Sequence, residues 1–170
     1  TLDAHHDLRD GISNGSPVRR LLEAGVSGSR IVQVGIADFS NSPAYAARAQ
    51  EAGIRVFTRA DVAARGIGEV MQQALAIAGA GPGGLHVDLD VDVCDRAVVP
   101  ACPAAAPGGL SAWELREAAR AAGADARVRT IDLCEVDAGA DSADERTVRL
   151  VALCVLEAAA GLASRAILDR

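Results

Sequence analysis

The sequence predicts an α/β fold on a mainly parallel sheet, and three observations carry the prediction. From Arg30 onward, short β-branched runs alternate with longer Ala/Leu/Arg stretches of helical period, the rhythm of β-α units. Helix start and stop signals fall at the joints between these segments. Of the 170 residues, 50% are hydrophobic and 24% charged, a composition that excludes disorder. A chain of this length buries roughly two thirds of the surface it exposes when unfolded, so a core forms without disulfides.

Taken in order, the first helix is Pro17–Ala24, with Ser16 as its N-cap, Pro17 at the first helical position and Gly25 as its stop. A strand follows at Arg30–Ile36, then a helix at Pro43–Ala52 closed by Gly53, and a strand at Ile54–Thr58. The next helix is Asp61–Ala78, and Gly79-Ala80-Gly81-Pro82-Gly83-Gly84 connects it to a strand at Leu85–Val91. The Pro/Ala-rich stretch Asp95–Gly109 is one extended loop, a feature that is often functional in a compact domain. Ser111 and Glu114 form a capping box for a helix at Ala112–Ala122, which Gly123 ends. A strand at Val128–Val136 and a helix at Ala143–Ala163 complete a single domain spanning 1–170.

Seventeen basic residues, every one Arg, face 23 acidic ones for a net charge of −6. With pI near 5.0 and the arginines scattered, no basic patch exists to bind nucleic acid or an anionic membrane. Arg, Asp or Glu interrupts every apolar run, so no membrane-spanning helix is expected. The four cysteines form no C-x-x-C pair and no signal-peptide pattern accompanies them, so they read as reduced thiols of a cytoplasmic protein. The chain opens at Thr1 rather than Met, with its most polar segment in the first seven residues, and an additional N-terminal portion is expected.

Two acidic clusters stand out: Asp3-Ala4-His5-His6-Asp7, and Asp88-Leu89-Asp90-Val91-Asp92 continuing to Asp95. Each sits at the carboxyl end of an expected strand, where ligands bind in open parallel sheets. By strand parity Asp3, His5 and Asp7 share a face, as do Asp88, Asp90 and Asp92. Any one of these aspartates could simply cap a helix or make a turn. Several carboxylates aimed into one dry crevice repel strongly unless a cation neutralises them. Carboxylates with a single imidazole suit a borderline-hard ion such as Mn²⁺ rather than thiolate-held Zn²⁺ or oxygen-only Ca²⁺, and so many suggest two ions with shared ligands. Such a pair readies hydroxide for attack on an electrophilic carbon.

The segments Asp3-Ala4-His5-x-Asp7 and Asp90-x-Asp92-x-x-Asp95, followed by Pro100 and Gly108-Gly109-Leu110, resemble the signatures of the ureohydrolase (arginase/agmatinase) family. The resemblance covers almost the whole chain in the right order. It implies a three-layer α/β/α arginase-like fold and hydrolysis of guanidino or amidino groups by a pair of Mn²⁺ ions. It further implies that Asp3 and Asp90 bridge both ions, that Asp7 completes one shell, that His5 and Asp92 bind the other ion, and that Asp88 is no ligand. Glu135-Val136-Asp137 is similar to the family segment whose glutamate receives the substrate's cationic nitrogen group, a role that falls to Glu135. Gly15-Ser16-Pro17-Val18-Arg19 is similar to a segment that opens a helix beside the metals.

Asp7-Leu8-Arg9 and the context of Asn14 most resemble the formimidoylglutamase branch, which converts N-formimidoyl-L-glutamate and water to glutamate and formamide in histidine degradation. On that reading Asp7 is catalytic, carrying the proton to the departing amine. Arg9 and Arg19 are the candidate partners of the substrate carboxylates, because a guanidinium pairs with them bidentately. The family's Gly-Gly-x-His segment, with a further metal-binding His, does not precede Asp3, which leaves one ion a ligand short. Many relatives carry a proton-shuttling His where Asn14 stands, and Asn cannot titrate. An agmatinase- or arginase-like guanidino hydrolase and a catalytically silent protein or fragment of this fold are the alternatives, and the resemblance implies a homo-oligomer.

Other signals read as structural. Gly11-Ile12-Ser13-Asn14-Gly15 matches a nucleophile elbow but lacks the strand before it and a triad His after the last strands. His6 reads as packed behind the site, His86 as bonded to a backbone partner, Trp113 as core-edge packing and Cys94 as a small buried hydrophobe.

Overall fold

The computed structural model describes residues 1–168. Its helices are α1 Pro17–Glu23, α2 Pro43–Glu51, α3 Arg59–Arg65, α4 Ile67–Ala78, α5 Ala112–Ala124 and α6 Arg146–Leu168, and its strands are β1 Val32–Ile36, β2 Arg55–Thr58, β3 Leu85–Asp90 and β4 Val128–Cys134. β1 pairs in parallel with β2, and β3 with β4. The first three residues join the two pairs, because Leu2 bridges Val34 on one side and Leu89 on the other, both in parallel. Asp3 N–H donates to the Val34 carbonyl and Asp90 N–H to that of Leu2, both at 3.0 Å. The order is therefore β2, β1, Thr1–Asp3, β3, β4.

Helices cover both faces of this sheet. Val32, Val34 and Phe57 enter the main core with Val70, Met71 and Leu115 of the α4 and α5 side. Their sequence neighbours Ile31 and Val56 instead pack with Val18, Ala49 and Leu8 near α1 and α2. Alternation of side chains along a strand puts those two sets on opposite faces, which makes three layers. Each fully buried Leu or Phe adds about 1.5–3 kcal/mol to this core.

The strands are shorter than the sequence suggested: Gly28–Arg30 is a 3₁₀ turn ahead of β1, Val91–Val93 is one after β3, and Glu135 lies just past β4. The helix expected over Asp61–Ala78 is two, broken at Gly66, and a capping box of Thr58 with Asp61 starts the first. The Ser16 hydroxyl does not cap α1; it donates to the Ser13 carbonyl at 2.8 Å. Gly123 does not stop α5. It lies inside the helix, where a β-carbon would sit 2.1 Å from the Ala158 carbonyl oxygen, and at Gly161 of α6 one would sit 2.3 Å from that of Arg120. Both positions are glycine because the two helix backbones touch.

Against expectation, Arg146–Arg165 is long and apolar enough, at mean hydropathy 1.6, to match a membrane span by length and composition. Its glycine contact with α5, and Glu157 accepting from Arg116 and Arg120 at 2.6 Å each, make it a layer of this fold. Trp113 is 65% exposed rather than at the core edge, with the Arg116 guanidinium 5.5 Å from its ring centre. His86 meets side chains instead of backbone: its Nδ1 is 2.8 Å from the Thr130 hydroxyl and its Nε2 3.6 Å from Asp132.

Candidate metal centre

Burial of Leu2 between β1 and β3 sets Asp3 beside Asp90 at the carboxyl ends of the sheet. Asp3 then turns the chain, its Oδ1 accepting from the His5 N–H at 2.6 Å. Asp92 approaches from the 3₁₀ turn after β3 and accepts the Ala4 N–H at 2.9 Å, while its other oxygen lies 2.7 Å from His5 Nδ1. Asp90 Oδ1 accepts the Asp92 N–H at 2.8 Å. Gly35 allows that turn to come this close. Its φ is +94°, and a β-carbon there would lie 2.2 Å from Val93 Cγ2.

Asp3, Asp90 and Asp92 are 1%, 6% and 3% exposed, so the acids are held in a dry place. Burial, followed by repulsion from Asp92 and Asp3, pushes Asp90 up to about 9. Burial likewise raises Asp3 to about 6, with Asp92 adding to it, and raises Asp7 to about 7, with Asp3 and Asp92 adding. His5 rises to about 10 through its hydrogen bonds to Asp3 and Asp92. Burial opposes ionisation of Asp92 too, yet the bonds from His5 and the Ala4 N–H hold that carboxyl below its usual range.

A cleft of about 70 Å³ opens on these groups, lined by His5, Asp7, Asp90 and Asp92 together with Arg9, Asn14, Gly15, Ala104 and Glu135. Asp7 and Glu135 both adopt left-handed backbone, with φ of 53° and 60°. For a residue with a β-carbon this costs about 1–2 kcal/mol, strain that tertiary structure must hold in place. One oxygen or nitrogen each of Asp3, His5 and Asp92 lies within 4.8 Å of the others, a spacing that a single ion can span. Four clustered carboxylates face one imidazole, so the residues fit dications. A larger cleft of about 590 Å³ along β2, lined by Ile36, Phe39 and Ile54 among others, holds none of the clustered acids.

The arginase family profile matches residues 1–161. The chain belongs to the arginase family. It is 41% identical over 159 residues to the formimidoylglutamase of Halalkalibacterium halodurans, covering 91% of this chain and 50% of that protein. It superposes on the crystal structure of Bacillus subtilis formimidoylglutamase with a TM-score of 0.90 at 34% identity, covering 95% of this chain and 51% of that one. The Trypanosoma cruzi formiminoglutamase structure with Mn²⁺ shares the fold, with a TM-score of 0.86 at 24% identity over 96% of this chain and 56% of that one. This chain thus has the arginase fold and spans about half the length of the relatives it matches.

In this arginase-family chain Asp3, His5, Asp7, Arg9, Asn14, Asp90, Asp92 and Glu135 meet at the cleft, while strand parity fails for Asp88 and the expected role fails for Arg19. Asp88, on the same strand face as Asp90, stays outside the cleft, accepting from the Thr1 hydroxyl at 2.7 Å with Cys134 Sγ at 3.1 Å. Asp95 ties the long loop instead, accepting the Ala97 and Gly108 N–H groups at 2.8 and 2.7 Å. Arg19 is not in the cleft. Its Nε donates to the Arg9 carbonyl at 2.6 Å and its other nitrogens to the Gly11 carbonyl and Glu23, so it staples the loop that carries Arg9 and Asn14. His6 and Cys94 are buried, as expected. The sequence reading passed over Gln33 and Asn41, which hold His6. A glutamine inside the apolar run Val32-Gln33-Val34 was the available signal.

Proposed function

We propose that this chain hydrolyses the C–N bond of N-formimidoyl-L-glutamate, giving L-glutamate and formamide, at a pair of Mn²⁺ ions held by Asp3, His5, Asp7, Asp90 and Asp92. The observation that carries the reading is the convergence of those five side chains with Glu135 and Arg9 around one small cleft. The formimidoylglutamase relatives and the manganese of the Trypanosoma cruzi protein support it. Carboxylates with one imidazole suit Mn²⁺. Bound dications lower the pKa of water, which makes hydroxide available at neutral pH.

The chain's own residues supply the rest. Glu135, on the cleft wall, receives the amidine's cationic nitrogen and orients its carbon. Arg9 offers a planar fork to a substrate carboxylate, and Asn14 adds an uncharged donor and acceptor. Asp7, on the cleft wall beside Arg9 and Asn14, carries a proton to the departing amine.

The test is an assay on the full natural chain for formamide and glutamate, with and without Mn²⁺. The reading expects equimolar products that vanish when the metal is removed. Urea from a guanidino substrate in place of formamide assigns the site to the guanidino branch, and neither product from a manganese-loaded chain marks it as silent.

A further inference from the structure

β1 reads Val-Gln-Val-Gly-Ile, and its one polar side chain, Gln33, is 0% exposed. An amide buried without partners costs roughly 2 kcal/mol or more, so its presence in a sheet interior needs a reason. Both ends of the amide are engaged, and with the same residue. Nε2 donates to the His6 carbonyl at 2.8 Å, which turns Oε1 toward His6 Nδ1 at 2.7 Å. An oxygen accepts only, so Nδ1 carries the ring proton.

Asn41, in the turn after β1, repeats the device. Its Oδ1 accepts the His6 N–H at 2.9 Å, and its Nδ2 donates to the Ala4 carbonyl at 2.9 Å. The two amides therefore fix the Ala4 carbonyl and both backbone polar groups of His6. Those groups flank His5 and lead directly into the left-handed Asp7.

We infer that Gln33 and Asn41 are positioning residues, which set the metal affinity of the site by locking the backbone that carries His5 and Asp7. The inference rests on the metal reading above. A loop free to relax would have to be ordered by the incoming ion, whereas here Gln33, Asn41 and His6 have ordered it beforehand. Losing an outer partner of a metal ligand typically weakens binding by about 10–100-fold.

The test is the Mn²⁺ dissociation constant of the full natural chain, measured by calorimetry. Gln33→Met keeps the shape and removes both hydrogen bonds, and is expected to weaken binding about 10–100-fold. Asn41→Ala is expected to do the same. Gln33→Glu, protonated when buried, can still donate to the His6 carbonyl and accept from Nδ1, and should restore most of the affinity. Leu115→Ala, a core change in α5, controls for lost stability alone: it should lower the melting temperature and leave the dissociation constant unchanged.

A folded Gln33→Met that binds Mn²⁺ as the wild type does, or a Leu115→Ala that loses affinity equally, overturns the inference and leaves the metal reading standing. A wild type that binds no Mn²⁺ overturns the metal reading, and this inference with it. Should Gln33→Met fail to fold, Asn41→Ala decides through the same constant and through amide exchange at His6, which must accelerate if Asn41 holds that N–H.

Discussion

His5 Nδ1 lies 2.7 Å from Asp92 Oδ2, across 87 positions of sequence, and the bond forms only because Leu2 enters the sheet beside β3. Asp92 in turn donates its N–H to Asp90, so Asp90 sits behind a charged pair and gains no cation of its own. Burial, with repulsion from Asp92 and Asp3, raises its affinity for a proton to about 9. Asp90→Asn removes the repelled charge and keeps an oxygen to accept the Asp92 N–H. The metal-free variant should melt about 2 °C or more above wild type at pH 9. It should also show a smaller rise in melting temperature on addition of Mn²⁺ than wild type does. A rise of undiminished size would remove Asp90 from the ligand set.

The pH dependence of the metal-free protein has a definite sign. Asp3, Asp7 and Asp90 are raised to about 6, about 7 and about 9, and His5 to about 10. Each group keeps its proton in the folded state at pH values where the unfolded chain has released it, so stability falls as pH rises. For the three aspartates the contribution is full below roughly pH 4 and is lost through about 6, 7 and 9, and for His5 it is full below roughly 6.5 and lost toward about 10. Asp92, lowered, works the other way, but only below the usual carboxylate range. The melting temperature of EDTA-treated protein should therefore fall between pH 5 and 9, and added Mn²⁺ should restore more of it at higher pH, where fewer protons must be displaced. A flat profile would show that the acids are not crowded.

Gly35 shows how the fold buries charge. With φ of +94° and 2.2 Å between a would-be β-carbon and Val93 Cγ2, Gly35→Ala must push the 3₁₀ turn that bears Asp92 off the end of β1. A loss of about 2–4 kcal/mol in urea unfolding is expected, together with weaker Mn²⁺ binding. Adding Val93→Ala removes the clashing methyl and should return part of both. No return would point to backbone strain alone.

The two acidic clusters were legible because chemistry at strand ends is written in consecutive residues. Parity was not enough to sort them. β3 stops at Asp90, and Asp92 leaves the strand rhythm in a 3₁₀ turn, while Asp88, in phase with Asp90, remains outside the cleft. His5 arrives through a turn made by Asp3, and Asp7 through left-handed backbone, and neither is a strand position. Gly123 has the local preferences of a helix stop, and contact with α6 overrides them. Arg19 and Trp113 were misread because the partners of a long side chain depend on how loops close. Gln33 was overlooked because its purpose is visible only once His6 lies across β1.

Glu135 combines a cleft position with a φ of 60°, so its replacements should separate function from stability. Glu135→Gly and Glu135→Val both remove the carboxylate and should abolish turnover equally. Gly accepts left-handed backbone and Val resists it, so the valine variant should be about 1–2 kcal/mol the less stable of the two. Equal stabilities would mean that the loop relaxes to an ordinary conformation, and that strain plays no part in aiming this side chain.

Arg9 tests what the cleft recognises. Its side chain lies over Gly15, where a β-carbon would come 2.5 Å from Arg9 Cδ, so the loop stapled by Arg19 fixes where the guanidinium can reach. A fork held in this way pairs two N–H groups with the two oxygens of one carboxylate, whereas an ammonium in its place would make a single point contact. Arg9→Lys should therefore raise KM for N-formimidoyl-L-glutamate about tenfold and leave kcat nearly unchanged, the pattern of lost uniform binding. Gly15→Ala should do likewise by displacing the same side chain. If kcat falls instead with KM constant, Arg9 acts at the reacting end of the substrate, and the tail is held elsewhere.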